Sequence, residues 1–418
     1  MEMMLEKLNI GIIGLGYVGL PLAVEFGKKY RTVGFDIDQS RIDELKDGVD
    51  STLECASNDL KDAINLTYTT DINKIRDCNF YIVTVPTPID EHKQPDLTPL
   101  VRASETIGTV ISKGDIVVYE STVYPGATEE TCLPAIERIS GLIFNKDFYA
   151  GYSPERINPG DKEHRVTNIL KVTSGSNEDI AEFIDVVYKS IITAGTFKAS
   201  SIKVAEASKI VENVQRDVNI ALVNELNQIF NIMGINTREV IEAASTKWNF
   251  MKLFPGLVGG HCIGVDPYYL LHKSTSIGYV PDLIRTSRII NDGMPEYIKN
   301  QFIDSLIKNK INPIETKVLI MGFTFKENCP DLRNTKVFDL YLKLIASGFD
   351  VEIYDPWVNK REVLDEYGIN IVTDIHDVRS NHVGILAVGH DEIISSIESK
   401  ELTFSKDFIM DFKGVLSL

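Results

Sequence analysis

The sequence predicts an α/β protein: two Rossmann-like, doubly wound parallel-sheet domains joined by a helical central domain with one long helix. Three observations carry this reading. Short apolar runs alternate with helical patterns over the first 200 residues, which implies a parallel sheet with helices on its faces. A second alternating unit begins near residue 312. Between the two, residues 201–233 contain neither Gly nor Pro and repeat apolar residues at helical spacing. The expected division is 1–200, 201–310 and 311–418.

Taken in order, the first unit offers strand candidates at residues 8–13, 32–35, 80–84 and 116–119, with helical patterns such as 17–29 and 99–112 between them. The long helix shows Val204, Ala207, Val211, Val214, Val218, Leu222, Leu226 and Ile229 at recurring positions, and Gly234 is its expected stop. A glycine-rich loop at 255–264 follows, then helical sequence to about residue 308. In the second unit, 318–321, 351–354, 383–388 and 408–410 read as strands and 336–346 as a helix. No solenoid repeat or low-complexity segment interrupts this pattern.

Composition narrows the function classes. The 418 residues are 44% hydrophobic and 25% charged, a globular profile with room for several cores. Lys and Arg number 43 against 60 Asp and Glu, a net charge of −17, which argues against nucleic-acid binding. The five cysteines, Cys55, Cys78, Cys132, Cys262 and Cys329, are odd in number and form no CxxC pair. Neither a disulfide framework nor a zinc knuckle is expected, and no metal. No apolar run approaches the ~18 residues of a membrane span. The first nine residues include acids and run into a strand pattern, unlike a signal peptide. A cytoplasmic protein is expected.

After the first strand candidate stands Gly14-Leu15-Gly16-Tyr17-Val18-Gly19, opening a helix. The first glycine permits a tight turn, the second lets backbone approach a pyrophosphate, and the third allows close helix–strand packing. Asp36 lies 22 residues after Gly14, at the end of the next strand candidate. An acid there accepts from ribose hydroxyls and repels a 2′-phosphate, which favours NAD over NADP. Arg41 is placed to meet the adenosine end.

Four glycines, Gly256, Gly259, Gly260 and Gly264, surround Cys262, with Asp266 four residues on. Such a loop exposes amide donors and lets a ligand come close. Packing as small buried hydrophobes suits Cys55, Cys78 and Cys132; Cys262 is the candidate for chemistry. Zinc on His261 and Cys262 is the rival, disfavoured because adjacent ligands have no partner at the usual spacing. On the long helix Lys209, Asn213 and Arg216 fall on one face. That stripe is either solvated or turned toward an anionic ligand. Two further loops, 152–161 and 322–333, follow strand candidates, where α/β proteins place ligand sites.

Together these segments resemble the UDP-glucose/GDP-mannose dehydrogenase family over nearly the whole chain. The matching motifs, in order, are Gly14 to Gly19, Val85-Pro86-Thr87-Pro88, Glu120-Ser121-Thr122-Val123, Ser153-Pro154-Glu155-Arg156, Lys209 with Asn213, Gly259-Gly260-His261-Cys262, and Phe325-Lys326 with Asp331-Leu332-Arg333. Residues 213–225 and 260–269 are most similar to the UDP-N-acetylhexosamine 6-dehydrogenase branch.

The resemblance implies an NAD-binding domain, a central domain for dimerisation and catalysis, and a UDP-sugar-binding domain. It implies oxidation of a 6-hydroxymethyl group to a carboxylate with two NAD+, for bacterial surface polysaccharide. Cys262 would be the nucleophile, passing through a thiohemiacetal and a thioester. Lys209 and Asp266 would handle the alcohol proton, Asn213 the oxyanions, Glu155 thioester hydrolysis, and Thr122 would stand near the nicotinamide. Gly14, Gly16, Tyr17, Val18, Gly19, Asp36, Arg41, Pro86, Thr87, Ser121, Thr122 and Arg333 would hold the cofactor. Glu155, Arg156, Lys209, Asn213, Arg216, Gly259, Phe325 and Lys326 would hold the substrate. A homodimer or higher homo-oligomer is implied.

Departures from the glucose-specific pattern favour a substrate other than UDP-glucose without naming it; the similarity to the N-acetylhexosamine branch implies UDP-N-acetylglucosamine or UDP-N-acetylgalactosamine before UDP-N-acetylmannosamine, and all three before UDP-glucose. Pro159 and Gly160 stand where a second carboxylate is common, and His261 and Val265 replace a Ser and a Lys. Phe254 stands where many N-acetyl relatives carry a basic residue. The rival functions are a two-electron hydroxyacid-type dehydrogenase, for which Cys262 is dispensable, and a non-catalytic NAD or nucleotide-sugar sensor.

Overall fold

The structure, a computed structural model, describes residues 5, 7–90, 92–157, 165–260, 262–380 and 382–416. The chain falls into two units, one taking in the chain up to Glu212 together with Tyr268–Tyr279, the other Asn213–Pro267 and the chain from Val280 onward.

The first unit is built on a six-stranded sheet of β1 (Asn9–Ile13), β2 (Arg31–Phe35), β3 (Leu66–Thr69), β4 (Phe80–Val83), β5 (Ile116–Tyr119) and β6 (Tyr149–Tyr152). All pairs are parallel and the order is β3-β2-β1-β4-β5-β6. The direction of winding reverses between β1 and β4, so the loops leaving those two strands flank the switch point where α/β folds bind ligands. The helices are α1 (Gly19–Gly27), α2 (Gln39–Lys46), α3 (Ser57–Asp62), α4 (Thr98–Gly108), α5 (Leu133–Ser140) and α6 (Glu178–Lys189). Alternation along the strands makes two cores. Ile13, Tyr81, Val83, Val117 and Tyr119 belong to one, and Ile10, Ile12, Phe80, Ile82 and Val118 to the other. A buried face on each side is why these strands read as unbroken apolar runs. A short parallel pair, β7 (Lys171–Thr173) and β8 (Thr196–Lys198), completes the unit.

The second unit carries a four-stranded parallel sheet, order β10-β9-β11-β12, of β9 (Lys317–Met321), β10 (Asp350–Tyr354), β11 (His382–Leu386) and β12 (Ile409–Met410). It too has a core on each face: Val318, Ile320, Ile353 and Ile385 on one, Leu319, Met321, Tyr354 and Leu386 on the other. The predicted strands and the helix at 336–346 are present within one to two residues.

The remaining helices are α7 (Ile202–Met233), α8 (Thr237–Ala244), α9 (Asp266–Ser276), α10 (Asp282–Lys308), α11 (Lys336–Ala346), α12 (Lys360–Tyr367) and α13 (Asp391–Glu398). α7 is the predicted long helix, starting one residue late and ending at Gly234, whose φ of +69° lies in the left-handed region. The row that revealed the helix is buried only in part: Val214 is buried and Ala207, Val218 and Leu226 are half-buried. Val204, Val211, Leu222 and Ile229 are exposed, whereas Glu206, Lys209, Asn213, Asp217, Asn224 and Asn227 are buried. Periodicity reports that a face exists; which face turns inward depends on partners elsewhere in the chain.

Candidate active site

The turn after β1 is shaped by its glycines in different ways. Gly14 has φ +94° and its amide donates to the Phe35 carbonyl at 2.9 Å. A Cβ on Gly19 would stand 1.9 Å from the Gly14 carbonyl oxygen and 2.4 Å from Thr84 Oγ1. Gly16 has nothing within 4 Å of its would-be Cβ. The protein itself needs Gly14 and Gly19, while Gly16 leaves open space before the N-terminus of α1. Tyr17 and Val18, half-buried, complete that turn. The Asp36 carboxylate is fixed at the tip of β2 by the Leu15 amide (2.8 Å) and the Asp38 amide (3.0 Å). This set fits a dinucleotide whose pyrophosphate needs amide donors and whose ribose needs an acid.

Arg41 is engaged within the protein. Its Nε donates to the Leu15 carbonyl at 2.8 Å, and its guanidinium pairs with Asp50 at 2.9 Å and with Glu44. Burial works against its charge, but the two carboxylates outweigh burial and hold it protonated. Arg41 therefore ties the glycine turn from behind. Across the switch point, Thr87 is buried with its carbonyl accepting from Tyr269 at 2.9 Å, and Pro86 is exposed. Ser121 Oγ donates to the Val85 carbonyl at 2.6 Å, and Thr122 beside it is half-buried.

Behind β6 lies a buried charge cluster that the sequence reading did not find. One Glu155 oxygen accepts from the amides of Arg156 (2.6 Å) and Ile157 (2.5 Å), and the other from Lys171 Nζ at 2.9 Å. Lys171 also pairs with Glu120 at 2.6 Å, and Glu120 accepts from the Tyr188 hydroxyl. Burial would raise the Glu155 pKa, but the Lys171 charge and the two amides hold it below the usual carboxylate range. Glu120, with burial and the nearby Glu155 working against its ionisation, is pushed up to about 7. Lys171 itself is raised: burial disfavours its charge, and the two carboxylates more than compensate. Lys209 Nζ donates to the Glu155 carbonyl at 2.7 Å, and Arg156 reaches Glu212 and the Leu170 carbonyl (3.0 Å). The sequence offers little signal for Lys171, which opens a three-residue strand in which only Val172 is apolar.

In the second unit Asn213 Nδ2 donates to Asp266 Oδ2 at 2.5 Å, and both side chains are buried. Cys262 is half-buried, and its carbonyl accepts from the Val265 (3.0 Å) and Asp266 (2.8 Å) amides, a turn that leads into α9. The preceding glycines are pressed by neighbours. A Cβ on Gly259 would meet the Asn334 carbonyl at 2.7 Å, and one on Gly260 (φ +83°) the Phe325 ring at 2.9 Å. Phe325 thus lies against the cysteine loop, with the Lys326 ammonium 5.8 Å from its ring centre. Arg333 makes a two-pronged pair with Asp331, 2.6 Å at its shortest. Phe254 carries Arg238 at 5.0 Å and Lys252 at 5.4 Å over its ring, so positive charge is present there although residue 254 is aromatic.

The polar stripe of α7 divides: Lys209 and Asn213 are buried and Arg216 is exposed. Cys78, Cys132 and Cys329 are buried and Cys55 is half-buried, its thiol pushed up to about 12 by burial. His261 and residues 158–161 of the loop after β6 lie outside the described residues. Among the described residues no cluster of His, Cys, Asp and Glu is arranged to hold a metal ion, and no helix is long and apolar enough to cross a membrane.

Comparison with known proteins covers the same ground. Three models of the UDP-glucose/GDP-mannose dehydrogenase family match in order: the NAD binding domain at residues 8–192, the central domain at 203–293 and the UDP binding domain at 319–418. The chain is 61% identical over 415 residues to UDP-N-acetyl-D-glucosamine 6-dehydrogenase of Pseudomonas aeruginosa, covering 99% of this chain and 98% of that protein. It is 58% identical over 416 residues to the protein of the same name from Salmonella typhi, covering 99% and 97%. Among solved structures, the UDP-D-ManNAc dehydrogenase of Pyrococcus horikoshii superimposes with a TM-score of 0.86 at 31% identity, covering 95% and 93% of the two chains.

Proposed function

Because the chain belongs to the UDP-glucose/GDP-mannose dehydrogenase family and is an NAD-dependent dehydrogenase, we propose that it oxidises the 6-hydroxymethyl group of a UDP-N-acetylhexosamine to the carboxylate. UDP-N-acetylglucosamine comes first and UDP-N-acetylgalactosamine second. The observation that carries this reading is the near full-length similarity to the UDP-N-acetyl-D-glucosamine 6-dehydrogenases. Residues 1–200 hold the cofactor, 201–310 carry the catalytic Lys and Cys, and 311–418 hold the UDP-sugar. The product feeds surface polysaccharide, and the reaction takes place in the cytoplasm. The working form is a homodimer or a higher assembly, built through the apolar rows that α7 leaves exposed.

Gly14, Gly16, Tyr17, Val18, Gly19, Asp36, Pro86, Thr87, Ser121, Thr122 and Arg333 hold NAD, with Arg41 supporting the turn. NAD+ bound there supplies a hydride acceptor for each of two successive oxidations. Lys209 and Asp266 take the alcohol proton, and Asn213 donates to the oxygen on which charge develops. The Cys262 thiolate adds to the aldehyde carbon and forms a C–S bond, which is retained as a thioester after the second oxidation. Water then breaks that bond with Glu155 managing its proton, which frees the thiolate and the carboxylate. A Glu155 kept ionised in a buried place suits that task. Arg156, Arg216, Gly259, Phe325 and Lys326 contact the substrate.

The test is a spectrophotometric assay of NADH formation with UDP-N-acetylglucosamine, UDP-N-acetylgalactosamine, UDP-N-acetylmannosamine and UDP-glucose. The expected result is two NADH per sugar with the first two, and no completed turnover by Cys262→Ala. Turnover with UDP-glucose alone would overturn the substrate. One NADH per substrate with Cys262 dispensable would restore the two-electron dehydrogenase, and tight binding without any NADH would leave a sensor.

A further inference from the structure

The cysteine loop is held by side chains to which no role in the reaction has been given. Asn224, wholly buried on α7, pairs with both polar atoms of one residue of that loop. Its Oδ1 accepts from the Gly256 amide at 2.8 Å and its Nδ2 donates to the Gly256 carbonyl at 3.1 Å. The same Nδ2 donates to Asn291 Oδ1 of α10 at 2.8 Å. Asn291 in turn donates to the Asp217 carboxylate at 2.7 Å and to the Asp217 carbonyl at 3.0 Å. Asp217 pairs with Arg288 at 2.6 Å, Arg288 with Asp292 at 2.6 Å, and Asp292 with Lys336 at 3.5 Å. Lys336 opens α11, and its amide would lie 3.3 Å from a Cβ on Gly259. Polar contacts thus run from Gly256 to the side chain of Lys336, the residue whose backbone packs against Gly259.

We propose that Asn224 is a positioning residue for Cys262, clamping the loop at Gly256 while the Asn334–Lys336 backbone blocks movement at Gly259. This rests on the reading of Cys262 as nucleophile. Glycine-rich backbone has little stiffness of its own, so the loop takes its shape from what grips it. A primary amide is suited to this grip because it offers a donor and an acceptor side by side, matching the N–H and C=O of one peptide residue. A displacement of about 1 Å at a reacting atom is enough to cost about 10²-fold in rate.

The experiment compares Asn224→Ala, Asn224→Asp and Cys262→Ala with the parent chain, at matched far-UV circular dichroism. It reads the rate of iodoacetamide modification of Cys262, located by peptide mass, together with kcat, KM and the dissociation constant for NAD+. For Asn224→Ala, alkylation and kcat are expected to fall at least tenfold while NAD+ affinity changes less than about twofold. Asn224→Asp keeps the acceptor for the Gly256 amide and loses the donor; it is expected to fall between the two, and it carries the test if the alanine variant does not fold. Folded variants that alkylate and turn over at the parent rate, with only a lower melting temperature, would overturn the clamp. If Cys262→Ala completes turnover, the nucleophile reading fails; the alkylation rate still decides whether Asn224 shapes the loop.

Discussion

The Glu155 cluster and the cysteine loop are organised by different forces. Glu155 is placed by charge: a buried lysine between two buried glutamates, with backbone amides completing the shell. The Cys262 loop is placed by shape and by a neutral amide, with glycines packed under Phe325 and Asn334 and gripped at Gly256. A charge cluster holds a protonation state as well as a position, whereas a neutral clamp holds position alone. The first is suited to a carboxylate that must remain ionised out of water, the second to a loop that must present one atom.

Removing the central charge is the strongest way to break this comparison. Lys171→Met leaves Glu120 and Glu155 buried without their partner and is expected to cost ~3–5 kcal/mol in urea unfolding. A cost below ~1 kcal/mol, the range of a solvated pair, would mean that water already screens the cluster. Steric substitutions come next. Gly19→Ala drives a methyl into the Gly14 carbonyl, which is backbone and cannot give way; a loss of ~1–3 kcal/mol is expected, with weaker NAD+ binding by titration calorimetry. Gly260→Ala meets a ring edge but requires φ +83° of an alanine, at ~1–2 kcal/mol.

Titration offers a finer contrast. Glu206 on α7 accepts from the Gly126 and Thr128 amides, and burial pushes it up to about 7 from an ordinary 4.5. Between those values the folded chain keeps a proton that the unfolded chain has released. Its contribution to stability is therefore full below about 4.5 and is lost as pH rises through about 7, with a slope of up to ~1.4 kcal/mol per pH unit. Glu206→Gln is expected to flatten that part of the profile, read from urea midpoints between pH 5 and 8. An unchanged slope would assign it to other groups, Glu120 first. The smallest effect is expected for Asp36→Asn. It keeps an oxygen for the Leu15 amide but loses the charge, raising KM for NAD+ roughly tenfold, ~1.4 kcal/mol, with little change in melting temperature.

What was legible beforehand follows from how local each cause is. The turn from Gly14 to Gly19, Asp36 at a strand end and the Gly- and Pro-free stretch of α7 are local, and each stands where it was expected. The strands at 66–69, 149–152, 171–173 and 196–198 were not anticipated. They are three or four residues long, and Tyr149–Tyr152 contains a glycine and no β-branched residue. Lys171 escaped notice because its partners Glu155 and Glu120 lie 16 and 51 residues away. The buried face of α7 escaped for the same reason. Asn224 and Asp217 look like solvated positions until Gly256, Asn291 and Arg288 are folded against them.

The glycine at position 16 differs from its two companions in the turn, because apart from its immediate neighbours in the chain no described atom lies within 4 Å of a Cβ there. Selection for folding and selection for cofactor binding are therefore separable at a single residue. A valine at 16 should give a chain that folds and melts as its parent does yet no longer admits a pyrophosphate. It would be a cofactor-blind twin, against which every effect of NAD on shape, assembly or lifetime could be measured by subtraction.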